Sequence, residues 1–584
     1  MQRISKFIFM KIVIAQMPVA QGNPEKNFQT ISSIVEKAKS EAATLVVFPE
    51  LCLSSTLVGD AFFRKSFVDE CLEKGNAIAS LASGIDILFG NIAKENNELY
   101  NAAYYASQGS FVALSKQKGK DLSFLPKNIL KGSRASRYFS SPCLENIYYP
   151  EIQGHLKVGI SISENLDDLE QVASSLLNEK NVVIHLASDF YEIGKHKELS
   201  RKCKHISEKF ETSVLYINAS GVLNEGKNVY ALEGCSLVFK NGKILDKAPF
   251  LKEALLVFDS ENAAINPEFL GKEKSEIEQI HQALVYMLKK SLERFRINRV
   301  VIGASGGIDS AVSAVLYAEA IGAENVFLVN MPTRFNSQTT QNAAKDLARN
   351  LGSPYLVVPI SKILESVQIT LSESCFEGSE ENLTVEGIHY ENLQARTRSG
   401  AALATIASVL NAAFTCNGNK TEAMVGYCTL YGDTSGVLCA LGDLWKTQVY
   451  ALAKEINKEK EIIPKASIEI PASAELSEAQ NVDEGKGDPI IYPYHDKLFA
   501  YWMENNKSLL DSEKALENGT LCEILGLEKD FFDSLFETQK EALDDMRKWW
   551  NRYMGIALAK RIQMPPILSV SRKAFGNSCI EAQM

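Results

Sequence analysis

The densest set of residues able to do chemistry lies in RVVIGASGGIDSAVSAVL (299–316). The β-branched run Val300–Gly303 reads as a buried strand, and the stretch from Ala311 onward reads as a helix. Between them stand Ser305, Gly306, Gly307, Ile308, Asp309 and Ser310. Two glycines let the backbone approach a polyanion closely, and the helix N-terminus behind them presents N–H groups and partial positive charge. Ser305 and Ser310 add hydroxyl donors. Asp309 would repel a bare phosphate, so its place in the loop implies Mg²⁺ between the two. The lysine of a GxxxxGK[ST] loop is absent, which argues against a nucleoside triphosphatase of that kind.

SGGIDS after a buried strand resembles the pyrophosphate loop of the ATP pyrophosphatases, which cleave ATP between the α and β phosphates. Further blocks resemble the NAD synthetases among them, in the family order. MPTRFNSQTTQNAAKDLARNLG (331–352) is similar to the stretch that holds the ATP adenosine. ENLQARTRSGAALATIA (391–407) is similar to the helix that gives the nucleotide site an arginine, here Arg396 or Arg398; otherwise either arginine would sit on a solvated helix face. NGNKTEAMVGYCTLYGD (417–433) and GDLWKTQVYALA (442–453) resemble the region that supplies a second Mg²⁺ carboxylate, Glu422, and a phosphate-binding lysine, Lys446. AKRIQMPPILSVSRKAFG (559–576) resembles the closing segment, with Lys560 and Arg561 as candidate phosphate contacts.

Taken together, the resemblance implies ATP contacts at Ser305, Gly306, Gly307, Asp309, Ser310, Arg396 and Lys446. It implies deamido-NAD contacts at Asn392, Arg396, Glu422, Asp433 and Lys560, metal ligands Asp309 and Glu422, and a catalytic set of Asp309, Glu422 and Lys446. Asn417 stands where a threonine is common, and His495 precedes Asp496 where a tyrosine–aspartate pair is usual. The implied reaction has a clear physical logic. A carboxylate is a poor electrophile, so it must become an acyl-adenylate before ammonia can attack. That step needs charge stabilisation on the phosphates and a site closed to water. The polar stretch PASAELSEAQNVDEGKGDP (471–489) suits a lid.

The N-terminal half resembles the nitrilase-type amidases that, in glutamine-dependent NAD synthetases, release ammonia with a Glu–Lys–Cys set. IVIAQMPVAQGNPEKNFQTI (12–31), VVFPEL (46–51) and LYNAAYYASQGSFVALSKQK (99–118) carry the likeness, with Glu50 where the general base belongs. The lysine slot, three residues before Leu125-Pro126, holds Leu122. The nucleophile block reads GISISENLDD, which puts Ser163 at the cysteine and Asn165 at the following aspartate. A hydroxyl lacks the thiolate reactivity of cysteine near neutral pH. The expectation is a degenerate glutaminase on a retained scaffold, with ammonia used directly. The alternative is an orthodox glutamine-hydrolysing NAD synthetase whose lysine and cysteine positions are filled by other residues than these, and a distant alternative is a non-catalytic nucleotide-binding scaffold.

The elements that must position these residues follow from hydrophobic periodicity. KIVIAQM (11–17), ATLVVFPE (43–50), IDILFGN (85–91), LKVGISI (156–162), NVVIHLA (181–187) and SVLYINAS (213–220) read as strands, and Asn27–Ala42 as a helix. Ser275 with Glu278 forms a capping box before another helix. The expected architecture is α/β throughout: a nitrilase-type four-layer sandwich over residues 1–262, a linker at 263–274, and a doubly wound parallel sheet of the adenine nucleotide α-hydrolase type over 275–584. With 584 residues, a net charge of −10 and eleven cysteines without a CxxC pair, the chain reads as a cytoplasmic protein that does not bind nucleic acid. It has no apolar run of about eighteen residues to span a membrane. The start MQRISKFIFM lacks a small-residue cleavage site, which argues against a signal peptide. Family likeness further implies a homo-oligomer built on paired synthetase domains.

Overall fold

The computed structural model describes residues 11–95, 98–119, 139–142, 151–152, 156–162, 166–175, 182–259, 274–379 and 381–576. The chain divides into two compact units: residues 1–225 with 230–273, and residues 226–229 with 274–584. Residues 263–273 of the expected linker and the Leu122 and Ser163 positions lie outside the described residues.

In chain order the first unit runs β1 (Lys11–Gln16), α1 (Pro24–Ser40), β2 (Leu45–Val47), α2 (Lys65–Leu81), β3 (Asp86–Glu95), β4 (Glu98–Ser107), β5 (Ser110–Gly119), β6 (Phe139–Pro142), β7 (Glu151–Ile152) and β8 (Leu156–Ile162). It continues with α3 (Leu166–Ser175), β9 (Val182–Leu186), α4 (Lys195–Lys209), β10 (Ser213–Ile217), the strands β11 (Ser220–Glu225) and β12 (Asn228–Glu233), then β13 (Leu237–Lys240), β14 (Lys243–Lys247) and β15 (Ala254–Asp259). Seven strands form one sheet in the order β15-β1-β2-β3-β4-β5-β6, and six form another in the order β14-β13-β10-β9-β8-β7.

Strand alternation makes the layers. Ile12, Ile14, Leu45 and Val47 from the first sheet pack with Ile160, Ile162, Ile184 and Leu215 from the second, giving a core between the sheets. The intervening residues Val13, Ala15 and Val46 turn outward and pack with Ile31, Val35 and Ile78 of α1 and α2. Val183, Val214 and Tyr216 likewise turn outward to Leu169, Leu199 and Ile206 of α3 and α4. Helix, sheet, sheet, helix is the four-layer sandwich expected. The regular strand is shorter than 43–50: β2 ends at Val47, Phe48 and Pro49 keep single backbone bonds to β3, and the turn that presents Glu50 begins at Glu50 itself.

The second unit is built on a four-stranded parallel sheet ordered β18-β17-β16-β19, with β16 Val300–Gly303, β17 Val326–Asn330, β18 Tyr355–Val357 and β19 Ala413–Phe414. The elements that matter to the site are α5 (Glu276–Phe295), α6 (Ile308–Ile321), α7 (Gln338–Leu351), α8 (Ser361–Ser372), α9 (Ile388–Arg396), α10 (Thr405–Val409), α11 (Lys420–Val425), α12 (Lys446–Ile456), α13 (Lys465–Glu469) and α14 (Tyr492–Met503). Val301 and Val329 bury one sheet face against Ile360, Leu364 and Leu403. Strands this apolar on both faces are typical of a parallel sheet covered by helices. α5 begins with the Ser275–Glu278 capping box.

Candidate functional site

The strand–turn–helix at 300–321 sets the site. β16 ends at Gly303 and α6 begins at Ile308, three residues earlier than the sequence reading, with Gly307 as an N-cap that offers no side-chain cap. Gly306 has φ +90°, and a Cβ there would collide with the backbone carbonyl of Thr340. Only glycine fits. Ser305 Oγ lies 3.1 Å from Ser310 Oγ, the Gly307 N–H donates to Ser305 Oγ at 3.2 Å, and Ser310 Oγ donates to the Gly307 carbonyl at 3.0 Å. The turn is thus held by its own hydroxyls. Ser305, Asp309 and Ser310 line a cavity of about 580 Å³, a size suited to a nucleotide-class ligand.

Glu422 comes to this cavity from α11. Asn419 caps that helix: its side chain accepts from the Glu422 N–H at 3.0 Å, and its own N–H donates to Glu422 Oε2 at 3.2 Å. Lys446, the first residue of α12, reaches back so that its ammonium contacts Asp309 Oδ2 and, at 3.4 Å, Glu422 Oε1. Asn419 Nδ2 donates to Asp309 Oδ1 at 3.0 Å. The three residues of the expected catalytic set therefore meet at one point, although Lys446 itself is buried behind the carboxylates.

The electrostatics of the three are unequal. Burial alone would pull the Lys446 ammonium down, but Asp309 and Glu422 overcome it and push its pKa up. Glu422 is pushed up to about 8 by burial first, with Asp309 and Asp488 adding to the rise against the pull of Lys446. One lysine does not neutralise the carboxylates around it, so further positive charge would be stabilised there. The donors are carboxylate oxygens only, which fits Mg²⁺. Among the described residues no group of three or more His, Cys, Asp or Glu gathers to hold a metal. An ion held by Asp309 and Glu422 would therefore complete its shell with water and substrate oxygens.

Asn392, Arg398, Asp433 and Lys560 line the rest of the cavity. Arg398 donates from Nε to the Met331 carbonyl at 3.2 Å and from a terminal nitrogen to Asn336 Oδ1 at 3.2 Å. Burial pulls its guanidinium down to about 10. Arg396 is not among the lining residues; its Nε donates to the Leu430 carbonyl at 3.1 Å. Residues two apart on a helix cannot share a face, so only one of the pair can enter the cavity. Asn392 Oδ1 accepts from Thr429 Oγ1 at 3.0 Å, and Asp433 accepts the Thr429 N–H at 2.6 Å while burial raises its pKa. Lys560 donates to the carbonyls of Gly426, at 2.8 Å, and Cys428. Arg561 does not reach the cavity: it is buried and donates to the carbonyls of Met424 at 3.1 Å and Tyr553 at 3.3 Å.

Two residues of the 471–489 stretch escaped the sequence reading. Glu475 accepts the Ser337 N–H at 3.1 Å and the Thr340 hydroxyl at 2.7 Å, tying the segment to the start of α7. Asp488 accepts from the Tyr492 hydroxyl at 2.7 Å, and burial raises its pKa. Their only sequence signal was polarity, which surface carboxylates share. In the first unit Glu50 is buried and accepts from Asn101 Nδ2.

Two family models divide the chain between them: a carbon-nitrogen hydrolase model matches residues 11–259 and an NAD synthase model matches residues 280–527. The glutamine-dependent NAD(+) synthetase of Synechocystis sp. is 30% identical over 520 residues, covering 85% of this chain and 89% of the relative. That of Acinetobacter baylyi is 31% identical, covering 86% and 89%. The chain belongs to the glutamine-dependent NAD(+) synthetase family. Its second unit is accordingly the carbon–nitrogen ligase, and NAD synthesis its reaction. Among solved structures, the glutamine-dependent NAD+ synthetase of Acinetobacter baumannii in complex with ADP superimposes with a TM-score of 0.69 at 26% identity, covering 98% of this chain and 97% of that one. The glutamine-dependent NAD(+) synthetase of Cytophaga hutchinsonii shares the fold, with a TM-score of 0.77 at 17% identity and coverage of 99% and 98%. No helix among the described residues is long and apolar enough to cross a membrane.

Proposed function

We propose that the second unit adenylates the nicotinate carboxylate of deamido-NAD and transfers the acyl group to ammonia. A carboxylate oxygen attacks the α-phosphorus of ATP, the bond to the bridging oxygen of the β-phosphate breaks, and pyrophosphate leaves. Ammonia then attacks the acyl carbon, the bond to AMP breaks, and one proton is lost to give the amide of NAD. The observation that carries this reading is that Asp309 and Glu422 face one cavity beside the uncapped N-terminus of α6, with Lys446 bonded to both from behind. Ser305, Gly306, Gly307 and Ser310 would cradle the phosphates. Asn392, Asp433 and Lys560 would face deamido-NAD, and Arg398 takes the nucleotide role expected of Arg396. Mg²⁺ held by Asp309 and Glu422 would neutralise charge developing on the phosphates.

Two nitrogen donors have support. The relatives are named glutamine-dependent, which favours glutamine hydrolysed by the first unit. Leu122 and Ser163, standing at the lysine and cysteine positions, favour ammonia taken directly or from a partner amidotransferase. We favour ammonia, because nucleophile and supporting cation act as one unit and both are replaced. We place the protein in the cytoplasm, as a homo-oligomer paired through the second unit. Exposed Leu356, Val357, Ile369, Phe376 and Ile388 support that pairing. Exchange of labelled pyrophosphate into ATP, dependent on deamido-NAD, tests the ligase reading; no exchange would overturn it. Glutamate release from glutamine tests the first unit.

A further inference from the structure

We propose that Thr421 and Asp496 are positioning residues that fix Lys446 relative to Glu422. The inference rests on the site reading above and adds to it the residues through which two separate helices are held in register. α12 begins at Lys446 after Trp445, an N-cap residue whose side chain makes no cap hydrogen bond. An indole carries no acceptor oxygen, so the first N–H groups of the helix must find partners elsewhere. They find them on other elements. The Lys446 N–H donates to Thr421 Oγ1 at 2.9 Å, and the Thr447 N–H donates to Asp496 Oδ2 at 2.8 Å.

The same hydroxyl completes the link. Thr421 Oγ1 donates to Asp496 Oδ1 at 2.6 Å, so each oxygen of the Asp496 carboxylate is engaged, one by α11 and one by α12. Thr421 and Asp496 are both buried. Thr421 directly precedes Glu422 in α11, and Asp496 lies in α14. One hydroxyl and one carboxylate thereby join the helix that carries Glu422 to the first residue of the helix that carries Lys446. The carboxylate also sits at the positive end of the α12 dipole, where negative charge is favoured. Neither Thr421 nor Asp496 lines the cavity, so both act through Lys446 and Glu422 rather than on substrate.

The test uses the full chain and the deamido-NAD-dependent ATP–pyrophosphate exchange, comparing Thr421→Val, Thr421→Ser, Lys446→Ala and the double variant Thr421→Val/Lys446→Ala. Valine keeps the volume and loses the hydroxyl; serine keeps the hydroxyl. Thr421→Val is expected to slow exchange on the order of tenfold or more, the scale of a small misplacement at a reacting centre, with serine restoring most of the loss. In the Lys446→Ala background, Thr421→Val should cost clearly less than in the parent, because only its hold on Glu422 is left to lose. Additive losses, or an unslowed Thr421→Val beside a crippled Lys446→Ala, would overturn the positioning role. An unaffected Lys446→Ala would instead overturn the site reading beneath it. Should Thr421→Val fail to fold, Asp496→Asn, which keeps the shape and one acceptor, serves in the same cycle with the same expectations.

Discussion

Asp189 in the first unit and Glu422 in the second are both largely buried carboxylates bonded to a lysine, and they are electrostatic opposites. In the first unit Asp189 meets Lys195 at 2.7 Å and accepts from the Tyr216 hydroxyl at 2.5 Å. Burial opposes its charge, yet Lys195 and Tyr216 prevail and hold it below the ordinary carboxylate range. In the second unit Glu422 has a lysine as well, but shares it with Asp309 and has Asp488 close by, and it is pushed up to about 8. One carboxylate per lysine, with a hydroxyl added, is a finished structural pair. Two carboxylates on one lysine beside an uncapped helix N-terminus leave a charge imbalance that a cation and a polyphosphate can correct. Lys420 also meets two carboxylates, Asp443 at 2.9 Å and Glu504 at 3.1 Å, but none of the three lines the cavity, so it is the charge ratio together with the cavity that separates the site from the strut.

The sharpest way to break that contrast is Asp309→Asn, which removes one carboxylate from the crowded side. It should abolish release of AMP and pyrophosphate while leaving the melting temperature near that of the parent; near-normal turnover would show that the loop has been misread. Lys446→Ala should cost about 10²–10³-fold in the exchange rate, the usual scale for one lost charge contact at a reacting phosphate. Lys195→Met attacks the strut instead. It should destabilise the first unit by about 3 kcal/mol, the low end for breaking a buried pair, with the exchange rate unchanged below the transition. Denaturant unfolding of the full chain measures it. Because Asp189 is held below its usual range, that stabilisation is present above about pH 4 and fades as pH falls through the depressed value. The difference between Lys195→Met and the parent should therefore shrink in acid. The smallest effect is expected of Ser163→Cys: no glutaminase activity should appear while Leu122 fills the lysine position, and measurable glutamate release by that variant would overturn the double-loss argument.

The layered fold was legible because strands buried on both faces read as short β-branched runs between amphipathic helical stretches. Lys11–Gln16 and Leu156–Ile162 form the strands their patterns predict. The end of β2 was not legible: Phe48 and Pro49 continue the buried apolar run past the regular strand, and burial alone does not mark where the strand stops. At the site, glycine, serine and aspartate spacing announced the loop, and family likeness named Glu422 and Lys446. What lay beyond the sequence was which charges meet. Arg396 and Arg398 are equally polar in the chain, and only helix geometry turns Arg398 to the cavity. Asp496 sits 50 residues after Lys446 and 75 after Thr421, so its bonds to both helices are tertiary facts without a local signature.

The most direct test of the account is NAD formation from deamido-NAD and ATP by the purified chain, with ammonium and glutamine offered separately at equal nitrogen. Stoichiometric NAD, AMP and pyrophosphate are expected with ammonium, and none above background with glutamine unless a separate glutaminase is added. Equal rates with the two donors, accompanied by glutamate release, would contradict it and restore catalysis to the first unit.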